Sequence, residues 1–238
     1  MNVDNDDIMH RNMPDFIGET DKLLGYMKKL SYEDLKSIWK CSDKIGKLNY
    51  SRIKNMDLYQ NLTPAILSFE GLQYQYMGPG LLDYKELEYI EKHLRILSGF
   101  YGILRPFDGV VPYRLEMGAK LLNWDYKNLY DFWSSKIKEN LFSECQLVLN
   151  LASKEYSKAV SKYLNDDKTM ISCKFGQEID GKIIEKGTLA KMARGEMVRF
   201  MAENSISELK DIKSFNRLGY KYREDLSDEC NYVFIKDM

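Results

Sequence analysis

The sequence predicts an α+β fold in a single domain, 1–238. Apolar residues recur at helical spacing in some windows and cluster into strand-like runs in others. Helical and strand segments follow one another without a regular βαβ rhythm. No linker, internal repeat or low-complexity stretch divides the 238 residues. A hydrophobic fraction of 44% supplies a sizeable core, and 13% aromatic residues argue against disorder.

Residues 1–14 read as irregular. Over 15–29, Phe16, Leu23, Leu24 and Met27 fall at roughly helical spacing. Ser31 and Asp34 have the separation of a capping box, which opens a second helix. The apolar run 65–69 reads as a short buried strand, and 84–97 and 128–141 read as helices. QLVLNL at 146–151 predicts a strand, with Ser153 placed to cap the helix that follows. ISCKFGQEIDGKIIEK (171–186) predicts a hairpin that turns at Asp180-Gly181, a pair suited to positive φ. Thr188 opens a helix running to about Asn204, and 231–235 closes the chain as a strand.

The formal net charge is −1, so a nucleic-acid contact here has to come from a local patch. Cys41, Cys145, Cys173 and Cys230 form no CxxC and make no metal-ligand spacing with His10 and His93. Reduced thiols, no bound metal and no cofactor are expected. Asp4, Asp6 and Asp7 are the opposite of a secretory signal's basic start. No apolar run approaches the ~20 residues of a membrane span. The expectation is a cytoplasmic protein with no membrane partner.

One stretch stands apart. HLRILSGFYGILRPFDGVVPYRLEMG (93–118) sets Arg95, Arg105 and Arg114, Asp108 and Glu116, four glycines and two prolines among large hydrophobes. A guanidinium beside apolar surface requires an anion, because an unpaired charge out of water is costly. In one reading the five charges neutralise one another around an irregular loop. In another the three arginines exceed the two carboxylates and leave a site for phosphate or carboxylate. Asp108 and Glu116, near Tyr101 and Tyr113, also qualify as a general acid/base pair. On the helix from 188, Leu189, Ala193, Met197, Phe200 and Met201 share one face with Arg194, while Lys191 and Arg199 point to the polar side. An arginine in an apolar face either pairs with a buried carboxylate, for which Asp108 and Glu116 are candidates, or lines a cleft. Ser98 is a further cleft candidate, as are Asn150 and Ser153, where a strand end leads into a helix N-terminus.

The 93–118 block closely resembles the YaaA family of peroxide-stress proteins, whose members carry LRxLSGxYGxLRPxDxxxPYRLEMG. LYDFW (129–133), VLNLASKEYSKAV (148–160), AKMARGEMVRFM (190–201) and FNRLGYKY (215–222) resemble that family's later blocks in the same order. The family's opening β-strand and Ser-Pro-Ala-Lys stretch have no counterpart here, and Met1-Asn2-Val3-Asp4 aligns a little downstream of them. The resemblance implies a strongly curved mixed sheet wrapped around helices, with a helix-hairpin-helix element.

The segment 35–56 can supply that element: two apolar-periodic pieces lie on either side of Ser42-Asp43-Lys44-Ile45-Gly46-Lys47. It holds Lys36, Lys40, Lys44, Lys47, Arg52 and Lys54 against Asp43 alone, the strongest local basic excess on the chain. Such a hairpin meets duplex phosphates with turn N–H groups and lysines without reading bases. The function the resemblance implies is duplex DNA binding in the response to hydrogen peroxide, limiting iron-dependent damage. Lys44, Gly46, Lys47, Arg95, Arg105, Arg114, Lys191 and Arg194 are the DNA- or phosphate-binding candidates. The alternative is an enzyme acting on a nucleotide or damaged base, a small phosphate-bearing ligand, through the cluster at 95–116. A third reading makes that cluster a purely structural ion network.

Overall fold

Ser31 opens a helix as its spacing to Asp34 predicts. Its hydroxyl accepts the Asp34 N–H at 3.1 Å, and the Asp34 carboxylate accepts the Ser31 N–H at 3.3 Å. The computed structural model describes residues 1, 8–165 and 168–236. Its helices are α1 (Ile17–Lys29), α2 (Tyr32–Trp39), α3 (Asp43–Asn55), α4 (Ala65–Ser68), α5 (Leu72–Met77), α6 (Tyr84–His93), α7 (Leu129–Trp133), α8 (Lys136–Leu141), α9 (Lys154–Ser161), α10 (Gly187–Glu203) and α11 (Leu209–Ile212). Its strands are β1 (Thr63–Pro64), β2 (Ile96–Ser98), β3 (Gly102–Leu104), β4 (Gly109–Val110), β5 (Leu147–Asn150), β6 (Thr169–Ile179), β7 (Lys182–Ile184), β8 (Tyr220–Tyr222) and β9 (Asn231–Lys236). The class is α+β, with mixed sheets that do not close.

The chain packs as two compact units. The first comprises Met1–Ser68, Arg95–Glu144 and Ser153–Leu164. In it α1 buries Leu23, Leu24 and Met27, and α2 buries Leu35, Ile38 and Trp39. Two small antiparallel pairs, β2 with β3 and β1 with β4, hold the 93–118 stretch. The second unit comprises Phe69–Leu94, Cys145–Ala152 and Asn165–Met238. Its sheet runs β5-β6-β9-β8, with β7 also on β6. The β5–β6 and β6–β9 pairs are parallel, and the other two are antiparallel. Ile171, Cys173 and Phe175 alternate inward along β6, the period a half-buried strand requires. Cys173 and Phe175 join Met197 and Phe200 of α10, Phe215, Tyr220 and Phe234 in one core. The hairpin turns where expected: Ile179 faces Lys182, and Asp180 and Gly181 have φ of 51° and 70°.

Gly195 sets the approach of α10 to α5. A Cβ there would stand 2.1 Å from the Gln73 carbonyl oxygen, so the helices meet at backbone distance.

Several expectations need correction. Residues 65–68 are helical, not a strand: the Ala65 and Ile66 N–H groups donate to the Asp108 and Pro106 carbonyls, and only Thr63–Pro64 pairs as strand. The helix expected over 84–97 ends at His93, and Ile96–Ser98 turns into β2. The helix expected over 128–141 breaks at Ser134, whose φ of 48° interrupts the α-conformation between α7 and α8. The turn expected at 42–47 is instead the first turn of α3: Ser42 is its N-cap, and the link to α2 is the left-handed Lys40 with Cys41. Of residues 1–14, positions 2–7 lie outside the described residues, and with them the comparison to the family's opening strand. In the rest, Asn12 bridges Asp108.

Candidate functional site

The 93–118 stretch is built around a serine. Ser98 ends β2, and its Oγ accepts the N–H groups of Phe100 at 3.2 Å and Tyr101 at 2.8 Å. The same oxygen lies 2.6 Å from the Tyr113 hydroxyl. Tyr101 in turn accepts the Val111 N–H at 3.1 Å, and Trp133 Nε1 donates to the Gly99 carbonyl at 3.0 Å. Gly99 is required here, since a Cβ would stand 2.5 Å from the Leu115 carbonyl oxygen. Burial pushes the Tyr101 hydroxyl well above its ordinary pKa. Tyr101 and Tyr113 are buried and packed on Phe100 and on each other, so neither offers an open face for a base to stack on.

The arginines find their carboxylates mostly outside the stretch. Arg95 pairs with Glu144 at 2.6 Å, 49 positions away. Arg105 lies 3.5 Å from Asp15 and 3.7 Å from Glu144. These two distant carboxylates take up the positive charge that counting within 93–118 leaves spare, and nothing in the local sequence marks them. Among the described residues, Arg114 alone of the three pairs within the stretch, with Glu116 at 3.0 Å; Glu116 is exposed, whereas Arg114 is half-buried and its Nε is buried with no hydrogen-bond partner.

Asp108 is not an ion-pair partner in the expected sense. Its Oδ2 accepts the Arg105 backbone N–H at 2.8 Å and its own N–H donates to the Arg105 carbonyl at 3.2 Å, so side chain and backbone together close the turn 105–108. Its Oδ1 is buried with no hydrogen-bond partner. The residue is 1% exposed, held by Ala65 N–H on its carbonyl and by the Asn12 bridge. Burial raises its pKa to about 6, opposed by the Arg105 N–H and guanidinium. Asp108 and Glu116 thus occupy different surroundings, one sealed and one solvated.

The α2–α3 pair is arranged differently. Asp43, the one acid of the segment, is tied to Lys36 and to the Tyr32 hydroxyl, and the Lys36 bond holds its pKa down. Lys44 and Lys47 are exposed on the first turns of α3, with no ion pair or hydrogen bond among the described residues. Ser42 makes no side-chain cap bond, so it leaves the N-terminal N–H groups of α3 uncapped. Gly46 is not a turn glycine: it is buried against the Tyr32 ring, and its N–H donates to the Ser42 carbonyl.

The remaining candidates serve the backbone. Asn150 donates to Ser172 Oγ at 3.0 Å and accepts the Ala152 N–H at 3.0 Å, which uses its amide at the strand end. Ser153 is the N-cap of α9 as expected, but its hydroxyl makes no cap bond. Arg194 pairs with Glu185 at 2.7 Å, rather than with Asp108 or Glu116. Lys191 is exposed on the same helix. Asn150, Lys191 and Arg194 belong to the second unit, and the other candidates to the first.

The family described as "Peroxide stress protein YaaA" matches residues 1–226. A UPF0246 protein of Pediococcus pentosaceus is 55% identical over 237 residues, covering 100% of this chain and 94% of the relative. One of Lachnoclostridium phytofermentans is 54% identical, covering 94% and 88%. One of Desulfitobacterium hafniense is 52% identical, covering 100% and 95%.

Proposed function

Because the chain belongs to the YaaA family of peroxide stress proteins, we propose that it binds duplex DNA in the cytoplasm and limits iron-dependent oxidative damage. The observation that supports this is the pair of exposed lysines, Lys44 and Lys47, on the first turns of α3, which make no hydrogen bond or ion pair among the described residues. With Asp43 neutralised by Lys36, they give that end of the helix pair a net positive charge facing solvent. In this reading α2 and α3 are the family's helix-hairpin-helix element, and the sheet is its curved wrapping sheet. Lysines and helix N–H groups bind phosphates without reading sequence. Among the described residues no helix is long and apolar enough to cross a membrane.

The test is fluorescence anisotropy of a labelled duplex across a salt series, with the wild type beside Lys44→Glu/Lys47→Glu. Salt-sensitive binding is expected, and the double variant should reduce the slope of log K on log salt by roughly 0.9 for each phosphate it no longer neutralises. Equal binding by the double variant would overturn the assignment to α3.

Asp108 favours a second reading, an enzyme acting on a nucleotide or damaged base. A buried carboxyl with an unpartnered oxygen and a pKa raised to about 6 supports this reading, which requires the surrounding loop to open so that a substrate reaches it. Asp108→Asn would then abolish turnover of nucleotide substrates while leaving duplex affinity intact.

A further inference from the structure

A concavity of about 450 Å³ in the first unit lies between α1 and the loop before α7. Its walls are aromatic. Trp124 lies flat on Tyr26, with ring centres 4.3 Å apart and planes 8° from parallel. Tyr126 and Phe132 contact Trp124 at 5.0 Å and 5.1 Å. The loop is fixed to the helix by one hydroxyl: Tyr26 donates to the Leu122 carbonyl at 2.7 Å and accepts the Leu122 N–H at 2.8 Å. The aromatic wall is therefore held in place before any ligand arrives.

The rim is cationic. Lys22 and Lys29 line the concavity, no carboxylate does, and neither lysine has an ion pair or hydrogen bond among the described residues. They stand at i and i+7 on α1, on the same side as Tyr26. Between them is Gly25, where an added Cβ would meet no atom within 4 Å. A glycine inside a helix costs stability relative to alanine, and here its missing side chain leaves the floor open. Asn123, exposed on the lining, adds an amide that both donates and accepts.

We propose that this concavity binds one unpaired nucleotide, its base against the Trp124–Tyr126 wall and its phosphate between Lys22 and Lys29. Flat π-surface, an adaptable amide and two rim lysines together fit a base that carries a phosphate, although the Asp34 carboxylate acts on Tyr26 from outside the lining. The volume lies within the usual range of small-ligand pockets. None of these residues belongs to the α2–α3 pair, so the site stands or falls independently of duplex binding.

The test uses the full chain with two probes: an oligothymidylate carrying a central 2-aminopurine, and free AMP. Each is followed by its own fluorescence or by tryptophan quenching. Gly25→Leu fills the floor without a Cβ clash and places a better helix former in α1, so its thermal midpoint is expected to match or exceed wild type. Its affinity for the probes is expected to fall about tenfold or more, and Trp124→Ala to fall comparably. Lys22→Glu/Lys29→Glu is expected to flatten the salt slope for the strand by roughly 0.7 for each phosphate left unneutralised. Binding of both probes assigns the pocket to nucleotides in general, and binding of the oligonucleotide alone assigns it to an unpaired base in a strand. Wild-type affinity in a folded Gly25→Leu overturns the proposal, as does ribose 5-phosphate competing as well as AMP.

Discussion

The 93–118 stretch and the α2–α3 pair divide the chain's conspicuous residues in opposite ways. In the stretch, Ser98, Tyr101 and Asp108 face inward, and nearly every polar atom there answers a backbone group. In the helix pair, Lys44 and Lys47 face water and make no hydrogen bond or ion pair among the described residues, Lys47 acting on Asp43 only from a distance. A motif dense in charges and glycines can thus be the means by which an irregular backbone is satisfied internally. A plain lysine-rich helix, by contrast, keeps its charges available to a partner. Chemical density in sequence is a different property from accessibility.

The sharpest way to break this contrast is Ser98→Ala. It removes the acceptor of two buried N–H groups and the partner of the Tyr113 hydroxyl. Urea unfolding is expected to show a loss of about 2–3 kcal/mol. A loss under about 1 kcal/mol would mean that the hairpin tip is not held by this oxygen.

Asp108→Asn tests the buried carboxyl through pH. Its folded pKa of about 6 lies above the ordinary 3.8. Between those values the folded state keeps a proton that the unfolded state has lost, so stability falls as pH rises through this window. The deficit then persists above it. Asparagine removes the titration and keeps an acceptor for the Arg105 N–H. The variant is expected to match wild type near pH 3.5 and to exceed it at pH 7.5. The gain is on the order of 1–2 kcal/mol, discounted for screening by solvent and the nearby arginines. Parallel stability curves across that range would contradict the shift.

The smallest effect is expected from Arg114→Ala. Arg114 is half-buried, but its partner Glu116 is exposed and its own Nε is unpartnered, so its removal should cost only about 1 kcal/mol by thermal unfolding. A cost near 3 kcal/mol would place Arg114 with the internal network instead.

What the sequence reveals here is local. Ser31 with Asp34, Asp180 with Gly181, and the QLVLNL strand are legible because each signal and its bonding partner lie within a few residues. The run 65–68 misleads because a short apolar segment suits strand and helix alike, and distant acceptors at Pro106 and Asp108 decide it. The break at Ser134 lacks the glycine or proline that would announce it. Gly46 looks like a turn residue, yet it is spent on packing against Tyr32. At the site, Glu144 and Asp15 are invisible because the fold alone brings them to Arg95 and Arg105. The aromatic concavity joins residues far apart in the chain, Tyr26 to Trp124 among them, so only its Phe132 falls within a recognisable block.

The approach at Gly195 has a mechanical consequence. With the Gln73 oxygen where a side chain would begin, α10 can neither slide one residue along α5 nor rotate about its own axis without driving a Cβ into that carbonyl. The two helices are keyed together like a notch and a pin. Sliding or turning of α10 against α5 is therefore sterically opposed at this one contact.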